Sequence, residues 1–255
     1  MKVVISSRPK RCHWHYFKNI FGSVAQTDNS LLIQDPNVFP VTINDIGFNV
    51  DYGDKSSIRE HLSPCLKFHI RSERTGFYPF PPVSFIDWGV YAECLSGIEY
   101  KAMGNIILAN QVPRAGALVR RTRVQAMLVE RFGKDADLSI TPQREWWQKI
   151  NSCLVAVCVP GCFPNILDRG QFQLMALGCC TVSPRVLELL PFGKTFQAGI
   201  HYIECSPDYS DLVDKIEWCK NNREACVSIG KNAKALFGET STPPRIIQWL
   251  EEIKL

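Results

Sequence analysis

The 255-residue chain has no apolar run near the ~20 residues that a membrane-spanning helix needs. It has no Gly/Ser linker, no low-complexity tract and no internal repeat, and nothing in it suggests disorder, collagen or coiled coil. The patterns GxxxxGK[ST], GxSxG and HExxH are missing, which argues against a P-loop NTPase, an α/β-hydrolase and a metalloprotease. No CxxC pair occurs among its 11 cysteines. The first apolar stretch, Val3-Val4-Ile5, stops at Ser6, short of the ~7–15 apolar residues of a signal peptide. It reads as a first β-strand over 2–6. A formal net charge of +4 is too small to argue for nucleic acid, though a local phosphate-binding patch remains compatible with it.

What is present is ordinary for a globular protein: 45% apolar and 21% charged residues, enough for one large or two small domains. Many cysteines (Cys153, Cys158, Cys179, Cys180, Cys226) sit inside apolar runs, where a free thiol behaves as a small core residue. A reducing, cytoplasmic compartment is the expectation. Zinc at Cys158, Cys162, Cys179 and Cys180 is the alternative, disfavoured by the missing CxxC pair.

The first hundred residues alternate short apolar runs with polar loops. Three prolines in FYPFPPVSF (77–85) exclude a helix and leave an extended loop. From Gly104 the pattern becomes regular. Strands are expected at 105–109, 138–140, 154–159, 179–182 and 201–205. Helices are expected at 117–132, after Thr141-Pro142, and at 171–177, 210–221 and 223–237, with a last one starting at Ser241-Thr242-Pro243. Alternation of this kind implies βαβ units and a parallel sheet.

Ligands of such sheets collect beyond the carboxyl ends of the strands, so the segments after NIILA, VAVCVP and CCTVS carry the candidates. After NIILA come Arg114, Arg120, Arg121 and Arg123. Arg120 and Arg121 lie near the apolar stripe of the helix, where cations oppose its dipole and need compensation. A diphosphate would supply it; a solvated basic face is the plain alternative. After VAVCVP, Gly161 and Gly170 permit close backbone approach, and a helix starting near Arg169 offers free N–H groups to an anion. Asp168 fits a helix N-cap. Asp135-Ala-Asp137 is formally a metal-chelating DxD, but its place before a strand makes it a polar turn. His201 reads as a core or loop histidine, and His13 and His15, around Trp14, as weak candidates for an acceptor cleft.

The stretch GIHYIECSPDYSDLVDKIEWCKNNREACVSIGKNAKALF (199–237) resembles the end of the CAP10-like glycosyltransferases, the protein O-glucosyltransferase-related family. GQFQLMALGCCTVSP resembles that family's helix–glycine–strand unit beneath the donor site. ANQVPRAGALVRRTRV loosely resembles its arginine-containing segment. The likeness covers roughly 104–245. It implies a GT-B-like α/β fold, with an N-terminal acceptor-side part (1–103), a Rossmann-like nucleotide-sugar part (104–240) and a C-terminal helix (241–255) that folds back. It also implies a UDP-sugar donor, a glycan or other hydroxyl acceptor, and transfer without metal or other cofactor.

Carried onto this chain, the likeness gives the diphosphate to Arg114, Arg120 or Arg121 with Arg169 as second clamp, and sets Ser183 near the nucleotide. Gln173 stands where many GT-B enzymes carry a glutamate for ribose or sugar hydroxyls. Inverting transfer needs a general base; Asp87 is the candidate, with Glu93 second, and Trp88 could stack on a sugar. Asp87 also fits a helix cap. The sequence leaves open a DNA-base acceptor, surface-polysaccharide assembly, or a non-catalytic nucleotide-binding or interaction subunit. The uncharged Gln173 and the short N-terminal part keep the last open as the competitor to a glycosyltransferase.

Overall fold

The computed structural model describes residues 3–5, 40–43, 46–49, 88–113, 115–161, 167, 169–187, 190–242, 244–245 and 248, and every structural statement below is made of these residues. Strands β1 (Val3–Ile5), β2 (Pro40–Ile43) and β3 (Ile46–Asn49) form an antiparallel sheet in the order β1-β2-β3. From Trp88 onward the chain runs α1 (Trp88–Leu95), β4 (Ile106–Leu108), α2 (Leu118–Phe132), β5 (Ala136–Asp137) and α3 (Gln143–Gln148). It continues with β6 (Cys153–Val157), α4 (Arg169–Leu177), β7 (Thr181–Pro184), β8 (Ile203–Cys205), α5 (Leu212–Asn221) and α6 (Arg223–Thr240).

The strands β4 to β8 make one five-stranded sheet in the order β5-β4-β6-β7-β8, every pair parallel. This is the α/β architecture expected from the alternation of elements. The order reverses between β4 and β6, so the switch point of a doubly wound sheet lies between the ends of those two strands. Right-handed crossovers then put α2 on one face of the sheet and α3 and α4 on the other.

Local chemistry explains the elements. Every residue of β6 is buried, as a central parallel strand covered on both faces requires. In α2, Val124, Leu128 and Phe132 form a buried stripe, and the helix stops at Gly133, whose φ of 54° suits glycine. Phe172 of α4 meets Phe237 of α6 edge-on at 5.3 Å, and Trp147 of α3 is wholly buried. Tyr91 of α1 joins this core, edge-on to Trp147 at 5.8 Å and donating its hydroxyl to the Ala176 carbonyl at 2.9 Å.

Several boundaries differ from expectation. The strand expected at 138–140 lies at Ala136–Asp137, because Ser139 turns the chain by donating N–H to Asp137 Oδ1 at 2.9 Å. The strand expected at 179–182 shifts to Thr181–Pro184, since Cys179 N–H still bonds back to the Leu174 carbonyl at 2.9 Å as the close of α4. Thr141 does not cap α3; Pro142 takes that position and Thr141 Oγ1 is buried without a partner. Residues 244, 245 and 248 are helical, as expected after Pro243.

Candidate functional site

The crevice beyond β4 and β6 is built by α2 leaning its first turns against the loop after β6. Arg121 is on the same stripe as Val124 and Leu128, so its side chain turns inward and is 9% exposed. Its Nε and Nη2 donate to the Val159 carbonyl at 3.0 and 2.9 Å, and its Nη1 donates to the Val112 carbonyl at 2.9 Å. A single planar fork thus ties the loop after β4 to the loop after β6. The compensation its charge requires comes from carbonyl dipoles.

Two glutamines complete the seal. Gln125 Nε2 donates to the carbonyls of Ala109 and Gln111 at 2.9 and 3.0 Å, and Gln111 Oε1 accepts the Val159 N–H. With Ala109, Val124 and Val157 these groups enclose a space with no room for a water molecule. The floor of the switch point is therefore filled by the protein itself.

Arg120, one residue earlier on α2, faces outward and is half-buried. Its Nη2 donates to the Pro160 carbonyl at 3.2 Å and to that of Gly161. Both bonds are made by the same nitrogen, Nη2.

Tyr209 lies in the loop between β8 and α5, at the same end of the sheet. It is 4% exposed, and burial raises its phenol above the ordinary tyrosine value while the charges of Arg120 and Arg121 pull it back. Its backbone has φ of 63°, uncommon for a bulky residue. The turn holds it there: Tyr209 N–H donates to the Ser206 carbonyl at 2.8 Å, and Asp211 Oδ1 accepts the Ser206 N–H at 2.7 Å.

The sequence candidates divide accordingly. Arg120, Arg121 and Gly161 come together at the crevice. Gln173 and Ser183 do not join them. Gln173 Oε1 accepts the Trp147 indole N–H at 3.2 Å between α4 and α3, and the residue is 3% exposed. Ser183 is fully buried, accepting from Gln171 Nε2 at 2.8 Å and donating to the Pro184 carbonyl at 3.0 Å. Glu93 is exposed on α1, 3.4 Å from Arg144. Asp87, Arg114 and Asp168 lie outside the described residues, as do the side chains of Trp88 and Arg169 and the residues His13, Trp14 and His15.

The Asp135–Asp137 turn is structural. Burial alone raises the Asp137 carboxyl, but hydrogen bonds from Lys149 at 2.7 Å and from Ser139 outweigh it and hold it below the usual aspartate value. Among the described residues no three His, Cys, Asp or Glu converge on a common metal position, and no helix is long and apolar enough to cross a membrane. His201 Nδ1 accepts the Gln197 N–H at 3.0 Å, the work of a loop histidine. Sequence reasoning passed over Gln111, Gln125 and Tyr209. The signal for Tyr209 was the SPDYSD turn directly after an expected strand; the glutamines carried none.

No family model matches the chain, and no solved structure matches it. Over 88 residues it is 27% identical to uncharacterized protein 179R of Invertebrate iridescent virus 6, a match covering 31% of this chain and 7% of that protein. Over 46 residues it is 35% identical to uncharacterized protein 035R of Invertebrate iridescent virus 3, covering 18% of this chain and 4% of that protein. The chain spans less than a tenth of the length of these curated relatives.

Proposed function

We propose that the chain is a glycosyltransferase of GT-B type that binds a UDP-sugar at the crevice above β6 and transfers the sugar to a hydroxyl, a glycan being the favoured acceptor. The observation that carries this reading is Arg120, a half-buried cation anchored by the Pro160 and Gly161 carbonyls at the ligand-binding end of a doubly wound parallel sheet. A guanidinium held at one end offers its other edge to a diphosphate without further loss of side-chain freedom. As the sugar leaves, charge builds on that diphosphate, and a positioned cation lowers the barrier by stabilising it. The general base would come from the acceptor side, where Asp87 remains the candidate.

The sealed switch point favours a second reading, a Rossmann-like subunit that binds nucleotide or a partner without turnover, because Arg121, Gln111 and Gln125 occupy the space a deeper ligand would use.

A thermal-shift screen against UDP, GDP, CMP and UDP-glucose, UDP-xylose and UDP-galactose separates the readings. A specific ligand at a hundredfold its dissociation constant stabilises the native state by about 2.7 kcal/mol. A shift with one nucleotide class that disappears in Arg120→Ala supports the donor site, and hydrolysis of the matching UDP-sugar then supports the enzyme. Binding without turnover supports the subunit. No shift with any nucleotide sinks both nucleotide readings.

A further inference from the structure

We infer that the groove along the outer side of β8 docks a basic segment of a partner protein, which lays a lysine or arginine side chain over Trp218 and ends it at the carboxylates of Glu204 and Asp214. The inference stands apart from the nucleotide reading, because the groove shares no residue with the crevice at Arg120.

The groove follows from the order of the elements. β8 is the last strand of the sheet, so its outer side meets no further strand among the described residues. α5 buries Leu212, Ile216 and Cys219. Asp211, Asp214, Lys215 and Trp218, spaced three and four apart, then form a second stripe of the helix. That stripe meets Ile203 and Glu204 of β8 and Ile229 of α6 around an open groove of about 710 Å³. Sites that take ligands have volumes of this order.

The lining selects the occupant. Trp218 is 41% exposed beside two isoleucines, an apolar wall without a cover. Tryptophan is among the residues that carry the binding energy of interfaces, and its ring face attracts cations. Three carboxylates share the groove with one ammonium. Lys215 lies 3.7 Å from Asp211, and Asp211 also accepts the Ser206 N–H, so these two charges answer each other. Glu204 receives a 3.3 Å bond from the neutral Tyr202 hydroxyl, and Asp214 has no hydrogen bond or ion pair among the described residues.

The surplus is negative in a chain whose net charge is +4, so it is local and complements a cation. Two copies meeting along β8 would bring like charges together, which disfavours self-association there. Nucleic acid and anionic lipid are repelled for the same reason. A free polyamine would answer the carboxylates and leave the apolar wall bare. A lysine or arginine on a peptide covers both, its alkyl stem on the wall and its charge at the rim.

The test is fluorescence anisotropy of the full chain with two labelled peptides, one alternating lysine and arginine with valine, the other with glutamate at the basic positions. It compares the unaltered protein with Trp218→Ala and Asp214→Asn, and uses spermidine as competitor. Both side chains are exposed, so the variants should melt with the unaltered chain. The basic peptide should bind and the glutamate peptide should not. Trp218→Ala should weaken binding about tenfold or more. Asp214→Asn should weaken it by a smaller factor that shrinks as salt is raised. Absence of binding by the basic peptide overturns the inference, as does equal binding of the glutamate peptide. So does binding that survives either substitution unchanged, or spermidine binding as tightly as the peptide. Each outcome leaves the nucleotide reading where it stood.

Discussion

Gln173 ties α4 to α3 through a buried contact. Its amide oxygen is the acceptor for the Trp147 indole N–H, in a place closed to water. Replacing it by leucine keeps most of the volume and strands the indole donor, which costs about 1–3 kcal/mol. Gln173→Leu should lower the urea midpoint accordingly, while any nucleotide affinity stays unchanged. Nucleotide affinity lost without loss of stability would return Gln173 to the ligand. Arg121 and Arg120 make the complementary point, since neighbours in sequence face a carbonyl-lined interior and a half-open crevice respectively. An ammonium at 121 could not reach Val112 and Val159 with one planar fork, so arginine is required there for geometry as much as for charge.

At the scale of elements, the close approach of α6 to the end of α4 depends on a glycine in a helix interior, where glycine is otherwise unfavourable by about 1 kcal/mol against alanine. A Cβ on Gly230 would lie 2.0 Å from the Gly178 carbonyl oxygen and 3.2 Å from the Cys180 nitrogen. Gly178, with φ of 78°, closes α4 and turns the chain into β7, so neither backbone can yield alone. Gly230→Ala should therefore destabilise the protein by more than about 2 kcal/mol despite its gain in helix propensity. Chemical denaturation checks this, and a stabilised variant would show that α6 can slide away from the turn. Arg223, at the start of α6, binds the second partner of this helix, donating Nη1 to the carbonyls of Ala102 and Gly104 at 2.6 and 2.7 Å.

At the scale of the whole molecule, the thiols among the described residues belong to the core. Eight cysteines, Cys94, Cys153, Cys158, Cys179, Cys180, Cys205, Cys219 and Cys226, are buried and free of disulfides. Burial pushes the Cys205 thiol up to about 12 and the Cys179 thiol well above its ordinary value, which keeps both protonated at neutral pH. Titration of the native chain with a disulfide reagent should leave these eight unreacted and confine any rapid reaction to Cys12, Cys65 and Cys162; unfolding in guanidinium should release all 11. Rapid native reaction at any of the eight, located by mass spectrometry, would contradict the packing of this core.

The alternation of strands and helices from Gly104 onward, the stripe of α2 and the glycine stops at 133 and 178 were legible in the sequence, because each depends on residues a few positions apart. The same local pattern put both Arg120 and Arg121 near the apolar stripe and marked their charges as needing compensation, without separating the inward one from the outward one. Which groups supply that compensation was a tertiary matter. Val112 and Val159 lie in separate loops, and only the parallel pairing of β4 with β6 brings their carbonyls to one guanidinium. The partners of Gln173 and Ser183 likewise come from helices and strands that meet across the sheet. Periodicity reports which face of an element is buried; what that face meets depends on strand order, which no short window of sequence contains.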